Sequence, residues 1–68
     1  MERMRFGLRL ALARENRRLT QEELAKKSGV SRQTIIRIET GKCDGVRTET
    51  LVKLAEALKV SPNYFLRA

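Results

Sequence analysis

The chain has 68 residues, 41% of them hydrophobic and 34% charged. A chain of this length buries only about 60% of its unfolded surface, so it builds a single core, and two-domain enzymes, barrels and solenoids are excluded. Lys and Arg number 15 against 8 Asp and Glu, a net charge of +7 that points to a polyanionic partner.

Aromatics are only 4%, so the core is expected to be aliphatic, and one proline with four glycines favours helices over a turn-rich sheet. There is no histidine, and Cys43 stands alone. That excludes a structural zinc site and an internal disulfide, and suits a reducing interior. The basic start, Met1 to Arg5, is not followed by the apolar run of a secretory signal. No apolar run approaches the ~20 residues of a membrane span. The expectation is one cytoplasmic domain over residues 1–68, with no membrane contact.

The pattern predicts an all-α, five-helix bundle without strands. The first helix runs from about Arg3 to Arg17, with Phe6, Leu10 and Ala13 on one face. Met4, Leu8, Ala11 and Leu12 lie on the opposite side, either as scattered surface residues or as a patch for a protein partner. Thr20-Gln21-Glu22-Glu23 reads as a capping box opening the second helix, which buries Leu24 and Ala25. It stops near Lys27, where Ser28-Gly29 offers a left-handed turn. Ser31 caps the third helix, Arg32 to about Glu39, which buries Ile35 and Ile38 and stops at Thr40-Gly41.

A polar loop follows from Lys42 to Arg47, in which Cys43 is read as incidental. Thr48 is expected to cap the fourth helix, which extends to about Leu58 and buries Leu51, Leu54, Ala55 and Leu58. Ser61 and Pro62 are expected at the N-cap and first positions of a short fifth helix. Val60 and Phe65 close the core, with Tyr64 packing at its edge.

Thr20 to Gly41 is the unit that bears on function. A capped helix ends at glycine, a short turn follows and a second capped helix begins, the outline of a helix-turn-helix. Ala25 provides a small residue where the helices cross, Gly29 the positive φ of the turn, and Val30 its anchor. Ile35 and Ile38 hold the second helix by one face, leaving Arg32, Gln33, Thr34 and Arg37 to donate and accept hydrogen bonds outward.

The segment LTQEELAKKSGVSRQTIIRIETGK resembles the helix-turn-helix of the phage-repressor family, which includes lambda repressor, Cro and their bacterial relatives. The resemblance extends from about Phe6 to Leu66. Gln21, Ala25, Gly29, Glu39 and Gly41 all carry the residue that family has at these positions. It implies a compact five-helix bundle that binds operator DNA, usually as a dimer. Arg32, Gln33, Thr34 and Arg37 fall on the base-reading positions. Gln21 resembles a glutamine that grips a phosphate and braces the recognition helix, and Lys42 a further phosphate contact. Arg14 and Glu39 match a pair joining the first helix to the end of the recognition helix. Thr40 departs from the usual asparagine, the loop from Cys43 to Arg47 is slightly longer, and Arg18 replaces a common glycine. With Thr20, Arg18 adds to the expected backbone contacts.

The implied function is a sequence-specific transcriptional regulator, a repressor, that reads the major groove of double-stranded DNA with Arg32 to Glu39. A weak homodimer forming mainly on DNA is expected through Tyr64 and Leu66. No metal, nucleotide or organic cofactor is implied. Catalysis is not expected, because there is no histidine, no Ser/His/Asp set and no phosphate-cradling glycine loop. The alternative is a protein-interaction adaptor or antitoxin on the same fold, using Met4, Leu8 and Leu12.

Overall fold

Local chemistry sets where each helix begins and ends. The computed structural model describes residues 2–42 and 45–66, with side chains for 6–42 and 45–65. Cys43 and the side chains of Met4 and Leu66 therefore lie outside the described residues. The elements are α1 (Glu2–Asn16), α2 (Gln21–Ser28), α3 (Arg32–Glu39), α4 (Thr48–Leu58) and α5 (Asn63–Leu66). No strand occurs among the described residues. None of the helices is long and apolar enough to cross a membrane.

α1 ends at Asn16, one residue before the expected Arg17, because the chain turns there on its own carbonyls. The Leu19 and Arg17 amides both donate to the Arg14 carbonyl, at 3.1 Å each, and Arg18 takes a left-handed conformation with φ 57°. That conformation costs an ordinary side chain roughly 1 kcal/mol and glycine almost nothing. Arg18→Gly is therefore expected to stabilise the fold by about 1 kcal/mol, or ~4–8 °C in melting temperature. A thermal melt showing no gain would mean that the turn carries no strain.

The capping box at α2 is complete. The Thr20 hydroxyl accepts from the Glu23 amide at 3.0 Å, and the Thr20 amide donates to the Glu23 carboxylate at 2.8 Å. Gly29 ends α2 in the left-handed region at φ 79°. Ser31 caps α3 as expected, its hydroxyl accepting from the Thr34 amide at 3.1 Å.

Two helix starts differ from expectation. Arg47, not Thr48, occupies the N-cap of α4, and its side chain makes no capping bond. The chain leaves extended backbone one residue earlier, so the Leu51 amide already donates to the Arg47 carbonyl at 2.9 Å. α5 begins at Asn63 rather than Pro62. Ser61 still closes that turn, its hydroxyl accepting from the Asn63 amide and its carbonyl from the Tyr64 amide. Lys59, left-handed at φ 59°, ends α4 without the glycine that would have signalled it.

Leu10, Leu24, Ile35, Leu54 and Leu58 are fully buried and come from the first four helices. Ala13, Val30, Ile38, Leu51, Ala55 and Phe65 complete the expected core, with Ala57 added. Phe65 stacks on Phe6 at 5.3 Å between ring centroids, which fastens α5 to α1. Tyr64 packs on the edge of this pair, with the Arg9 guanidinium 5.4 Å from its ring centre. On the outer side of α1, Leu8 and Leu12 are 60% and 47% exposed.

Gly7 was not singled out by the sequence pattern, yet α1 depends on it. A Cβ built there would run into the Ile38 carbonyl oxygen and lie 3.0 Å from that of Glu39. α1 thus meets the last turn of α3 backbone to backbone, a separation that only glycine allows.

Candidate nucleic-acid interface

The turn between α2 and α3 sets the two helices against each other. Val30, 8% exposed, pins it to the core, and its amide donates to the Ser28 hydroxyl at 3.1 Å. α3 is held by Ile35 and Ile38, which leaves the other side of the helix open. At ~100° per residue, Gln33 and Arg37 form one outward line, with Arg32 and Thr34 on its two flanks. Arg32, Gln33 and Arg37 are exposed, and their side chains have no hydrogen-bond or ion-pair partner among the described residues.

Thr34 is placed differently from the other three. It is half-buried, and its hydroxyl accepts from the Ser31 hydroxyl at 2.8 Å. With Ile38, Val46, Arg47 and Thr50 it lines an open recess of about 300 Å³ between α3 and the start of α4. It belongs to the edge of the outward surface, beside the loop.

The opposite end of α3 is tied to two other elements through Glu39. Arg14 Nε donates to Glu39 Oε2 at 2.8 Å, and Arg14 Nη2 donates to Oε1 at 3.1 Å. Arg14 Nη1 donates to the Leu19 carbonyl at 2.7 Å. The side chains are only 13% and 7% exposed, so the expected pair is a nearly dry, bidentate one. The hydrogen bond to Glu39 raises the Arg14 guanidinium above its usual range, outweighing the opposing effect of burial.

Gln21 joins the same network, its Nε2 donating to Glu39 Oε1 at 3.0 Å. An amide nitrogen carries two protons, so the second remains available to an acceptor outside the protein. The carboxylate also sets the orientation of the amide, since only the nitrogen end can face it. Gln21 is thus tied to the last residue of α3, an attachment to Glu39 that had no sequence signal beyond the two residue types.

Thr20, Arg18 and Lys42 are exposed near the two ends of this unit. The Lys42 amide donates to the Arg37 carbonyl at 2.9 Å, which holds the residue against the end of α3. No cluster of three or more His, Cys, Asp or Glu residues able to hold a metal ion occurs among the described residues.

An all-helical domain whose second and third helices form this unit is a helix-turn-helix domain. The HTH_3 helix-turn-helix family model matches residues 10–65, and the chain belongs to that family. The chain is 51% identical over 55 residues to the HTH-type transcriptional repressor RghR of Bacillus subtilis, covering 81% of this chain and 41% of that protein. It is 44% identical over 57 residues to the HTH-type transcriptional regulator PrtR of Pseudomonas aeruginosa, covering 84% and 22%. The chain thus spans about two-fifths or less of the length of these curated relatives. Among solved structures, the restriction-modification controller protein C.AhdI of Aeromonas hydrophila superposes with a TM-score of 0.87 at 35% identity, covering 93% of this chain and 94% of that one. An HTH_3 family transcriptional regulator of Vibrio cholerae gives 0.85 at 28% identity, covering 94% and 35%. The expected family and the five-helix fold class are both confirmed by these matches.

Proposed function

We propose that this domain binds double-stranded DNA as a sequence-specific transcriptional repressor, with α3 in the major groove. The observation that carries this reading is the outward line of α3. Three long polar side chains stand exposed, without a partner among the described residues, on a helix whose other face and both ends are fastened. A net charge of +7 supplies the attraction to phosphate. The repressor role is supported by the likeness to RghR.

In this reading Arg32, Gln33 and Arg37 meet base edges, and Thr34 meets the groove wall from its half-buried position. Arginine pairs with guanine and glutamine with adenine through two hydrogen bonds each. Gln21, Lys42, Arg18 and Thr20 face the phosphate backbone, which adds affinity without sequence information. One recognition helix covers only a few base pairs. Two copies on half-sites one helical turn apart, roughly 34 Å, supply the missing specificity. Tyr64 and Leu66 are the proposed seam, too small for a stable dimer in free solution.

The test is selection of bound sites from a random DNA pool. The selected sites are expected to be inverted repeats. Gln33→Ala is expected to relax preference at one or two base positions, each worth roughly 1–3 kcal/mol of discrimination. Lys42→Ala is expected to weaken all sites alike and to reduce the salt slope by about one. An unchanged site preference in Gln33→Ala would refute the groove assignment.

A second reading rests on the exposed Leu8 and Leu12, which offer an apolar step to a protein partner. Binding to random-sequence duplex discriminates the two. A DNA reader loses this binding steeply as salt rises, and an adaptor shows little of it at any salt.

A further inference from the structure

Ile36 lies on the polar side of α3 and has no place in the core. Its neighbours Ile35 and Ile38 belong to the buried cluster, whereas Ile36 is only half-buried and is not among the partly buried hydrophobes that pack against that cluster. At ~100° per residue it stands ~40° from Arg32 and ~60° from Gln33, and one turn before Thr40. The Thr40 hydroxyl donates back to the helix, to the Ile36 carbonyl at 2.9 Å and the Arg37 carbonyl at 3.3 Å. Its one proton is therefore not offered outward. A single apolar side chain, Ile36, thus stands beside the Gln33 and Arg37 line.

We propose that Ile36 is a specificity-determining residue, which reads the C5-methyl group of a thymine next to the base pair met by Gln33. The proposal rests on the DNA-binding reading above and names what the groove-facing surface selects besides hydrogen bonds. In the major groove only thymine presents a methyl group, and an apolar side chain recognises it by contact. A β-branched side chain on a helix has one strongly preferred χ1, so Ile36 is already set in place before DNA arrives. Burying one methyl group between the two surfaces strengthens binding roughly three- to four-fold.

The experiment uses the full chain and a duplex carrying its selected site. Each thymine is replaced in turn by deoxyuridine, which removes only the methyl group. Affinity is measured by fluorescence anisotropy. Wild type is expected to lose three- to four-fold at one thymine position beside the Gln33 contact. Ile36→Ser and Ile36→Asn, which put a polar group where the methyl contact would be and are each shown by circular dichroism to be folded, are expected to bind the thymine and deoxyuridine duplexes equally. Hydrogen-bond discrimination at the Gln33 position is expected to persist in both variants. A selected site lacking thymine there, a wild type indifferent to the methyl group, or a deoxyuridine penalty that survives both substitutions would each overturn the assignment of Ile36. If wild type selects no site at all, the DNA-reading function falls, and this proposal falls with it.

Discussion

Replacing Glu39 by alanine is expected to lower the melting temperature by ~12 °C or more. Glu39 is the acceptor for three donors: Arg14 Nε, Arg14 Nη2 and Gln21 Nε2. Its removal leaves a guanidinium that is 13% exposed with only the exposed Glu15 carboxylate, 3.9 Å away, as counter-charge. Breaking a buried pair from one side costs on the order of 3–5 kcal/mol, and a domain of this size shifts by ~4–8 °C for each kcal/mol. Arg14→Ala is expected to cost a similar amount. The double variant should lose less than the sum, because the second substitution removes the charge that the first left stranded. Strict additivity of the two losses would show that the contact contributes nothing.

The pair also has a predictable pH behaviour on the arginine side. A basic group whose folded pKa is raised contributes stability below its unfolded value and loses it as pH rises through the folded value. The Arg14 guanidinium is charged throughout the neutral range and its hydrogen bond to Glu39 shifts it further upward, so its contribution stays constant across neutral and moderately alkaline pH.

Gly7→Ala is expected to destabilise by about 2 kcal/mol, or ~8 °C, against the direction that helix propensity predicts. Alanine is intrinsically better than glycine inside a helix by ~1 kcal/mol. At position 7, however, the added methyl group meets the backbone carbonyls of Ile38 and Glu39. Overpacking of this kind costs typically 1–3 kcal/mol and sometimes more. The obstacle here is backbone, which cannot rotate out of the way as a side chain can. α1 has to move off the end of α3, and Arg14, seven residues and about two turns further along the same face, moves with it. The loss therefore includes part of the Arg14–Glu39 contact. A variant that melts at or above the wild-type temperature would show that the two backbones do not approach this closely.

The residue pattern was sufficient for the parts of this protein that depend on local chemistry. Thr20 with Glu23, Ser31, Gly29 and the spaced leucines and isoleucines act over three or four residues, so they set the two helices of the central unit and their buried faces without reference to the rest of the chain. The resemblance carried the Arg14–Glu39 pairing across 25 positions, which no local rule reaches. Tertiary structure alone decided the remainder. Gly7 reads as a minor fault in a helix until α3 is seen lying against it. Gln21 becomes a third arm on Glu39 only because α2 and α3 bring them within 3.0 Å. Thr34 and Ile36 look equivalent to their neighbours in sequence, one polar and one apolar. The loop before α4 turns the first into a recess, and the helix face that buries Ile35 and Ile38 leaves the second half-buried beside Arg32 and Gln33. Residues close in sequence act through bonds the backbone makes in any context, whereas these four take their roles from atoms that only the packing of whole helices brings into contact.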